Sequence, residues 1–283
     1  MRHADYEPAW QAIMDGGWGD RRQSLRFYLR FAHAHLFVAE ASDGTIVGTA
    51  SAVQHVETGR IGLVFVAPAR RGQGLGRRLP EVALRHLQEL ACRSVLLAAS
   101  ALGLPIYERL GFAPSCGYTL RVGEAERLDV PDQPDVRPLH LGDLDAVCRL
   151  DQRAGGEQRR AVIEALAGRA GQGWVTGRPS DVRGYALRTP WGLGPAIATR
   201  PADGPRLLDV LLRHPHPSLP LSPAVPADNH PARAHLAARG SSDIRCNALE
   251  WLPGEAASPV HWSAVRASGR SQAGRGALWE APA

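Results

Sequence analysis

Three glycines at alternate positions, Gly72, Gly74 and Gly76, are the residues of this sequence that most clearly predict chemistry. Because glycine has no Cβ, such a stretch lets the backbone approach an oxyanion closely and adopt positive φ angles. The surrounding side chains are guanidinium groups, planar cationic donors that match phosphate oxygens; they belong to Arg70, Arg71, Arg77 and Arg78. We therefore expect this stretch to bind phosphate.

The elements on either side of the glycines would position that site. An apolar run, predicted as a strand, ends at Val66, and a helix is predicted to begin near Gly74. A loop before a helix N-terminus aims free N–H groups and the helix dipole at one point, which favours an anion. Pro80 inside the helix predicts a kink, because it removes one backbone hydrogen bond. The helix prediction rests on side chains that share one face at helical spacing, namely Leu75, Leu79, Val82, Ala83, His86, Leu87 and Leu90.

Two common nucleotide-binding motifs do not fit the stretch. A Walker A loop requires a lysine, and all 33 basic residues of this chain are arginine. The dinucleotide-binding motif requires Gly-x-Gly-x-x-Gly, whereas the three glycines here alternate with single residues. Nucleotide hydrolysis and dinucleotide-dependent redox chemistry are therefore disfavoured.

The stretch from Arg71 to Gly76, "RGQGLG", resembles the acyl-CoA signature of the GNAT superfamily of N-acyltransferases, [Arg/Gln]-x-x-Gly-x-[Gly/Ala]. The preceding "VFVAP" is similar to the central strand of that family. "LPIYERLGF", at residues 104–112, resembles its second motif, in which a tyrosine on a short helix precedes Leu-Gly-Phe. For residues 1–122 the resemblance implies a GNAT domain that uses acetyl-CoA as cosubstrate.

The resemblance also implies roles for individual residues. The main chain of Val64, Phe65 and Val66 would pair with the pantetheine arm of CoA as an extra strand would. Tyr107 stands at the position of the general acid and would protonate the departing thiolate, the alternative being a core tyrosine. Ser100 stands where many members have Asn and offers part of the same hydrogen bonding. The residues that would hold the pyrophosphate are Arg71, Gly72, Gln73, Gly74, Leu75, Gly76 and Arg77.

The general base departs from the family pattern. Many relatives have a glutamate on the central strand, whereas Arg60, Ile61 and Gly62 occupy those positions here. His55 and Glu57 on the preceding strand are the alternatives, because either side chain could accept the ammonium proton directly or through water. We therefore expect the base to be one of these two residues.

The rest of the chain predicts a second copy of the same fold. Helices and strands recur after residue 136 in the order of the first half, so we expect an α/β (α+β) protein with tandem GNAT folds. Each fold would have a mixed, mostly antiparallel central sheet flanked by helices. The predicted ranges are a catalytic acyl-CoA-binding domain at 1–123, a linker at 124–135, a GNAT-like domain at 136–253 and a partly disordered tail at 254–283.

The second copy lacks the phosphate-binding residues. After its strand at 196–198 the sequence "TRPADGPRLLDVLL" has one glycine and two prolines, and so offers few aligned N–H donors. "AHLAARGS", at 234–241, resembles the second motif, but Leu236 replaces the tyrosine and Ser241 replaces the phenylalanine. We expect a degenerate domain that no longer catalyses.

Composition excludes several classes of protein. The chain has 283 residues, 44% of them hydrophobic and 22% charged, and no apolar run is long enough to span a membrane. The net charge of +5 is interleaved with acidic residues, which disfavours nucleic-acid binding. Without a signal peptide we expect a cytoplasmic protein, either a monomer or a homodimer. The cysteine spacing predicts buried reduced thiols and neither a metal site nor disulfides; the four are Cys92, Cys116, Cys148 and Cys246.

Two functions remain open from the sequence. The first is an N-acetyltransferase, in which a neutral primary amine of a small molecule or peptide attacks the thioester of acetyl-CoA and Tyr107 protonates the sulfur. The second is a non-catalytic acyl-CoA sensor or scaffold protein, which the missing strand glutamate favours. Turnover with amines distinguishes the two, because a sensor only binds.

Overall fold

The structure is a computed structural model that describes residues 1–122, 133–168, 173–189, 192–214, 224–239 and 242–251. At positions 116, 118–122, 192–193, 224 and 242–251 it describes the backbone alone. The chain divides into two compact units. Unit 1 contains Met1–Cys116 and the described C-terminal residues from Cys246, and unit 2 contains the chain from Gly117 to Arg245.

Unit 1 is built on a mixed sheet. In chain order its elements are α1 (Tyr6–Asp15), α2 (Arg22–Arg30), β1 (Ala34–Glu40), β2 (Ile46–His55), β3 (Thr58–Val66), α3 (Leu75–Glu89), β4 (Ser94–Ala99), α4 (Leu104–Glu108) and the start of β5 (Ala113–Val122). β1, β2 and β3 form an antiparallel meander, and β4 lies parallel to β3. The end of β3 at Val66, the start of α3 after Gly74 and the short helix that contains Tyr107 agree with the sequence predictions.

The core of unit 1 lies between the sheet and α3. Ala50 and Ala52 of β2 are fully buried, and their small side chains leave room for the helix to approach the sheet. A Cβ on Gly59 would lie 2.8 Å from Cδ1 of Leu87, so β3 needs a glycine where α3 packs on it. Burial of the leucines of α3 against this surface contributes roughly 2 kcal/mol for each side chain.

α3 has the amphipathic pattern that the sequence predicts. Leu79, Ala83 and Leu87 are buried, and the helix runs from Leu75 to Glu89 through Pro80. Val82 was expected on the apolar face but is 41% exposed, because the side of the helix that is buried against the sheet does not extend as far as this residue. The first turn of α3 begins at Leu75, after the glycine loop that follows the end of β3.

After an additional strand, β6 (Val136–Pro138), unit 2 repeats this succession of elements. They are the end of β5, then β6, α5 (Leu144–Gly155), α6 (Arg160–Ala167), β7 (Gly173–Arg178), β8 (Asp181–Thr189), β9 (Gly192–Ala198), α7 (Asp203–Arg213), β10 (Ala224–Pro226), α8 (His230–Ala237) and the start of β11 (Ser242–Trp251). β6, β7, β8 and β9 form an antiparallel sheet, and β5 pairs with β10 and with β11. Its core includes Trp174, Leu207 and Leu236.

Two strands cross between the units, which the sequence did not predict. The end of β11, Asn247–Trp251, pairs antiparallel with β4 and so extends the sheet of unit 1. The end of β5 belongs to unit 2, where Tyr118–Leu120 pair with β10. The units thus differ from the contiguous ranges 1–123 and 136–253, because each contains a strand from the other half of the sequence.

The described residues allow only part of the expectations about membrane helices, metal sites, cysteines, the linker and the tail to be compared with the structure. Within the described ranges, no helix is long and apolar enough to cross a membrane. Nor does this part of the chain contain a group of three or more His, Cys, Asp or Glu side chains that could bind a metal ion. Cys92 is buried and Cys148 partly buried, and neither is in a disulfide. The side chains of Cys116 and Cys246, most of the linker, Ser241 and the tail from residue 254 lie outside the described residues.

Candidate active site

The glycine loop connects β3 to α3. A short 3-10 turn, Pro68–Arg70, leads to Gly72 and Gly74, whose φ angles are +75° and +82°. Gly74 is the N-cap of α3 and provides no side-chain cap, so the first N–H groups of the helix have no capping acceptor. A Cβ at either glycine would meet nothing within 4 Å, so the space around the loop is open. This conformation requires glycine and leaves backbone donors accessible to an anion.

Four exposed arginines surround the loop, and within the described ranges none of them forms an ion pair. Arg71 donates a long hydrogen bond from Nε to the carbonyl oxygen of Val66, at 3.4 Å. Guanidinium groups next to a helix N-terminus create a local positive potential, although Arg70 also interacts with the carboxylate of Asp43. The residues therefore fit a polyanion such as the pyrophosphate of CoA; they are Arg70, Arg71, Arg77 and Arg78.

β3 has an open main-chain edge beside this loop. It pairs with β4 only at Thr58–Arg60, opposite Ser94–Leu96. Beyond Arg60 the two strands diverge, and no described residue of β4 pairs with Ile61–Val66. Gly62, Leu63 and Val64 are accordingly half-exposed in the middle of a central strand. The peptide groups that would have bonded β4 can bond an extended ligand instead, as in the addition of a strand.

The structure brings Tyr107 close to the glycine loop. Tyr107 lies on α4, which packs against α3, and a Cβ on Gly76 would lie 3.5 Å from Cδ1 of Ile106. The residue next to Tyr107 therefore faces the first turn of α3. The two motifs of the sequence, 31 residues apart at Gly76 and Tyr107, meet in one region of unit 1.

Tyr107 is buried among apolar side chains. It is 5% exposed, and its ring forms an edge contact with Phe112 at a centroid distance of 6.1 Å. Burial disfavours the phenolate and raises the pKa of Tyr107 to about 12. The phenol therefore stays protonated at neutral pH, as a proton donor must, and the same burial is equally typical of a core tyrosine.

Ser100 closes the turn before α4. Its carbonyl oxygen accepts hydrogen bonds from the N–H groups of Gly103 and Leu104, both at 3.0 Å. Its hydroxyl oxygen lies 3.3 Å from the N–H of Gly103. Ser100, predicted as a cofactor-binding residue, thus supports the turn that leads into α4 and Tyr107.

The structure does not bring His55 and Glu57 to the glycine loop. Both lie at the hairpin between β2 and β3, where Thr58 pairs with Ser94, at the end of β3 opposite to the loop. His55 is buried, and Glu57 is exposed and lies 3.8 Å from Arg93 NH1. β3 spans roughly 30 Å at its rise per residue, so these side chains and the phosphate loop are far apart.

The corresponding loop of unit 2 differs in length and charge. Residues 199–202 connect β9 to α7, whereas residues 67–74 connect β3 to α3. The buried carboxylate of Asp203 lies in the first turn of α7 and accepts a hydrogen bond from Arg183 Nε at 3.2 Å. A negative side chain already occupies the helix N-terminus, where an anion would otherwise be stabilised.

One feature of this region is not indicated by the sequence. Leu63 has a φ angle of +48°, and the register between β2 and β3 shifts beside it. Position 63 is a leucine, whereas a glycine or asparagine there would have indicated the irregularity. The open edge of β3 therefore contains a bulge and is not a regular strand throughout.

Comparison with known proteins supports these observations. Residues 32–114 match the model of the acetyltransferase (GNAT) domain. A mycothiol acetyltransferase of Streptomyces avermitilis is 37% identical over 89 residues, which are 29% of this chain and 28% of that protein. The chain thus matches less than a third of the length of this curated relative.

Solved structures match nearly the whole chain at low sequence identity. A Pyrococcus horikoshii protein assigned as an acetyltransferase superposes with a TM-score of 0.74 at 19% identity, covering 90% of this chain and 89% of that chain. A tandem GNAT protein from the clavulanic acid biosynthesis pathway superposes with a TM-score of 0.60 at 20% identity, covering 90% and 97%. At such identities the likeness shows a shared fold. Residues 32–114 thus match an acetyltransferase (GNAT) domain, and the chain as a whole shares the fold of solved proteins that include a tandem GNAT protein.

Proposed function

We propose that this chain is an acyl-CoA-dependent N-acetyltransferase that transfers an acetyl group from acetyl-CoA to a primary amine. The observation that carries the proposal is the convergence of three features in unit 1. These are the open glycine loop with its exposed arginines, the unpaired edge of β3, and Tyr107 on the helix that contacts Gly76. No comparable loop is present in the described part of unit 2.

In this proposal, acetyl-CoA binds along the glycine loop and the adjoining edge of β3. The N–H groups from Gly72 to Gly76 and the four arginines bind the pyrophosphate. The main chain of Val64–Val66 pairs with the amides of the pantetheine arm, which carries the reactive thioester. This arrangement would hold the thioester near the start of the open edge.

The transfer itself requires one new bond and one proton movement at the sulfur. The lone pair of a neutral amine attacks the thioester carbonyl carbon, the C–S bond breaks, and the thiolate takes the phenolic proton of Tyr107. The amine loses a proton to a base or to water. His55 and Glu57 remain the predicted bases.

As the acceptor we propose a small-molecule amine in preference to a peptide amine. The curated relatives are named mycothiol acetyltransferases, although each match covers little more than a third of the chain at most. Acceptors related to mycothiol therefore come first in a screen, followed by amino acids and peptides. Fold alone does not specify the acceptor, because function depends on the groove.

A non-catalytic acyl-CoA sensor is the second candidate. It is favoured by one observation: in the described residues of β3 the half-exposed positions along the open edge are Gly62, Leu63, Val64 and Val66, which contain no acid–base side chain. A sensor would bind acetyl-CoA through the same loop and edge without turnover.

The test measures free thiol released from acetyl-CoA with a panel of amines. We expect amine-dependent release with the wild-type protein and, at acetyl-CoA concentrations below its Kd, at least tenfold less release with Gly74→Asp, which controls for a contaminating hydrolase. Binding of acetyl-CoA in calorimetry without release for any amine would support the sensor. The absence of acetyl-CoA binding would refute both functions.

A further inference from the structure

The alternation of side chains between the two faces of β3 is interrupted in the middle of the strand. The register with β2 shifts between Thr49 and Ser51, where one residue of β2 faces two residues of β3, Leu63 and Val64. This is the pattern of a β-bulge. Leu63 has a φ angle of +48°, which L-residues other than asparagine and aspartate rarely adopt.

The bulge decides which side chains of β3 face α3. In a regular strand Ile61 and Phe65 would point to the same side, because side chains alternate. In the structure Ile61, Val64 and Val66 pack into the cluster against α3, whereas Phe65 forms an edge contact with Trp18 at 5.2 Å. The position of the main chain after Leu63 therefore depends on the bulge.

One side chain holds this bulge from the neighbouring strand. The hydroxyl of Thr49 donates a hydrogen bond to the carbonyl oxygen of Leu63 at 2.7 Å, and Thr49 is fully buried. The bond lies on the β2 side of β3, and the open edge lies on the other side. Thr49 therefore orients the peptide group of Leu63 without occupying the cleft.

We propose that Thr49 is a positioning residue for acetyl transfer, which acts through Leu63. By fixing the carbonyl of Leu63 on the β2 side, its hydroxyl sets the orientation of the following peptide groups at the open edge. Those groups, in Val64–Val66, are the ones that would hold the pantetheine arm and its thioester. This inference rests on the proposed acetyltransferase function.

The first test compares two substitutions of similar shape. Thr49→Val keeps the volume and removes the donor, and Thr49→Ser keeps the donor. We expect Thr49→Val to lower kcat at least tenfold and to raise the Kd for CoA by a smaller factor, because the glycine loop that binds the pyrophosphate lies beyond the end of β3. Thr49→Ser should retain kcat within about threefold of the wild type.

A matched control tests whether any lost threonine bond in β3 has the same effect. The hydroxyl of Thr58 donates to the carbonyl oxygen of His55 at 3.1 Å, at the opposite end of the strand. Thr58→Val should leave kcat unchanged. Wild-type turnover in Thr49→Val, or an equal loss in Thr49→Ser, would overturn the proposal.

Hydrogen exchange gives a readout that does not depend on activity. The N–H of Ala67 bonds the carbonyl oxygen of Val47 at 2.9 Å, just after β3, and that of Gln54 bonds His33 at 2.9 Å, away from the bulge. Thr49→Val should accelerate exchange at Ala67 and leave Gln54 unchanged. Unchanged exchange at Ala67 would refute the positioning role, whereas a wild-type protein that lacks turnover would refute only the acetyltransferase function.

Discussion

Gly103 and Tyr107 are in contact at the start of α4: a Cβ on Gly103 would lie 2.8 Å from Cε2 of the tyrosine ring. The same Cβ would lie 3.6 Å from the hydroxyl oxygen of Ser100. These three residues form one packed turn that leaves no room for a larger side chain at position 103. The location of the Tyr107 hydroxyl therefore depends on this turn as well as on the core beneath it.

The first prediction separates acid catalysis from packing at Tyr107. Tyr107→Phe keeps the ring and its apolar contacts, so the Kd for CoA should stay the same while kcat falls by roughly 10²- to 10⁴-fold. Tyr6→Phe is the control, because the Tyr6 hydroxyl bonds Arg22 O at 3.1 Å and has no assigned role in transfer. Unchanged kcat in Tyr107→Phe would identify solvent or another group as the acid.

The second prediction concerns stability at high pH. Burial raises the pKa of Tyr107 to about 12, above the value of about 10 for an exposed tyrosine, so the folded state favours the protonated phenol. This contribution to the free energy of unfolding is complete below pH 10 and is lost as the pH rises towards 12, by about 1.4 kcal/mol at pH 11. Urea denaturation of the wild type and Tyr107→Phe between pH 9 and pH 11 measures the difference. A difference that does not change with pH would show that the phenol titrates normally.

The third prediction tests the phosphate-binding loop. Gly74→Asp places a carboxylate in the open space around the loop, and we expect the Kd for CoA to rise more than tenfold, or about 1.4 kcal/mol. Gly74→Asn has similar size and tolerates the left-handed backbone, so it separates the effect of charge from that of strain. Calorimetry should give a clearly smaller loss for Asn. Equal losses for the two variants would attribute the effect to the backbone and not to an anion.

The fourth prediction is that each chain binds one equivalent of acetyl-CoA. In unit 2 the carboxylate of Asp203 occupies the N-terminus of α7, and the preceding loop is short. Gly204→Asp, at a position where a Cβ meets nothing within 4 Å, should not change binding. A titration with two equivalents, the second sensitive to Gly204→Asp, would show that unit 2 has retained a site.

The fifth prediction concerns the strand that crosses between the units. Asn247 to Trp251 of β11 pair with Ala99 to Val95 of β4, so a chain that ends at residue 241 would leave the edge of β4 without this partner. We expect this truncated chain to lose cooperative thermal unfolding, whereas a chain ending at residue 253 retains it. Wild-type melting of the shorter chain would show that unit 1 does not need β11.

The amino-acid sequence by itself determined the local features of the site. The left-handed glycines, the helix that begins after Gly74 and the short helix of Tyr107 were all predicted, because each depends on a few neighbouring residues. Glycine conformation, helical periodicity and turn composition are properties of short segments. The two-domain organisation was likewise visible as a repeated order of elements.

Only the tertiary structure decided the features that join distant segments. The pairing of β11 with β4, the divergence of β3 and β4 after Arg60, and the bulge held by Thr49 depend on contacts between strands and not on local propensity. For the same reason, sequence proximity to β3 did not bring His55 and Glu57 near the loop. A strand separates positions along its length by about 3.3 Å per residue, and folding alone brought Ile106 against Gly76.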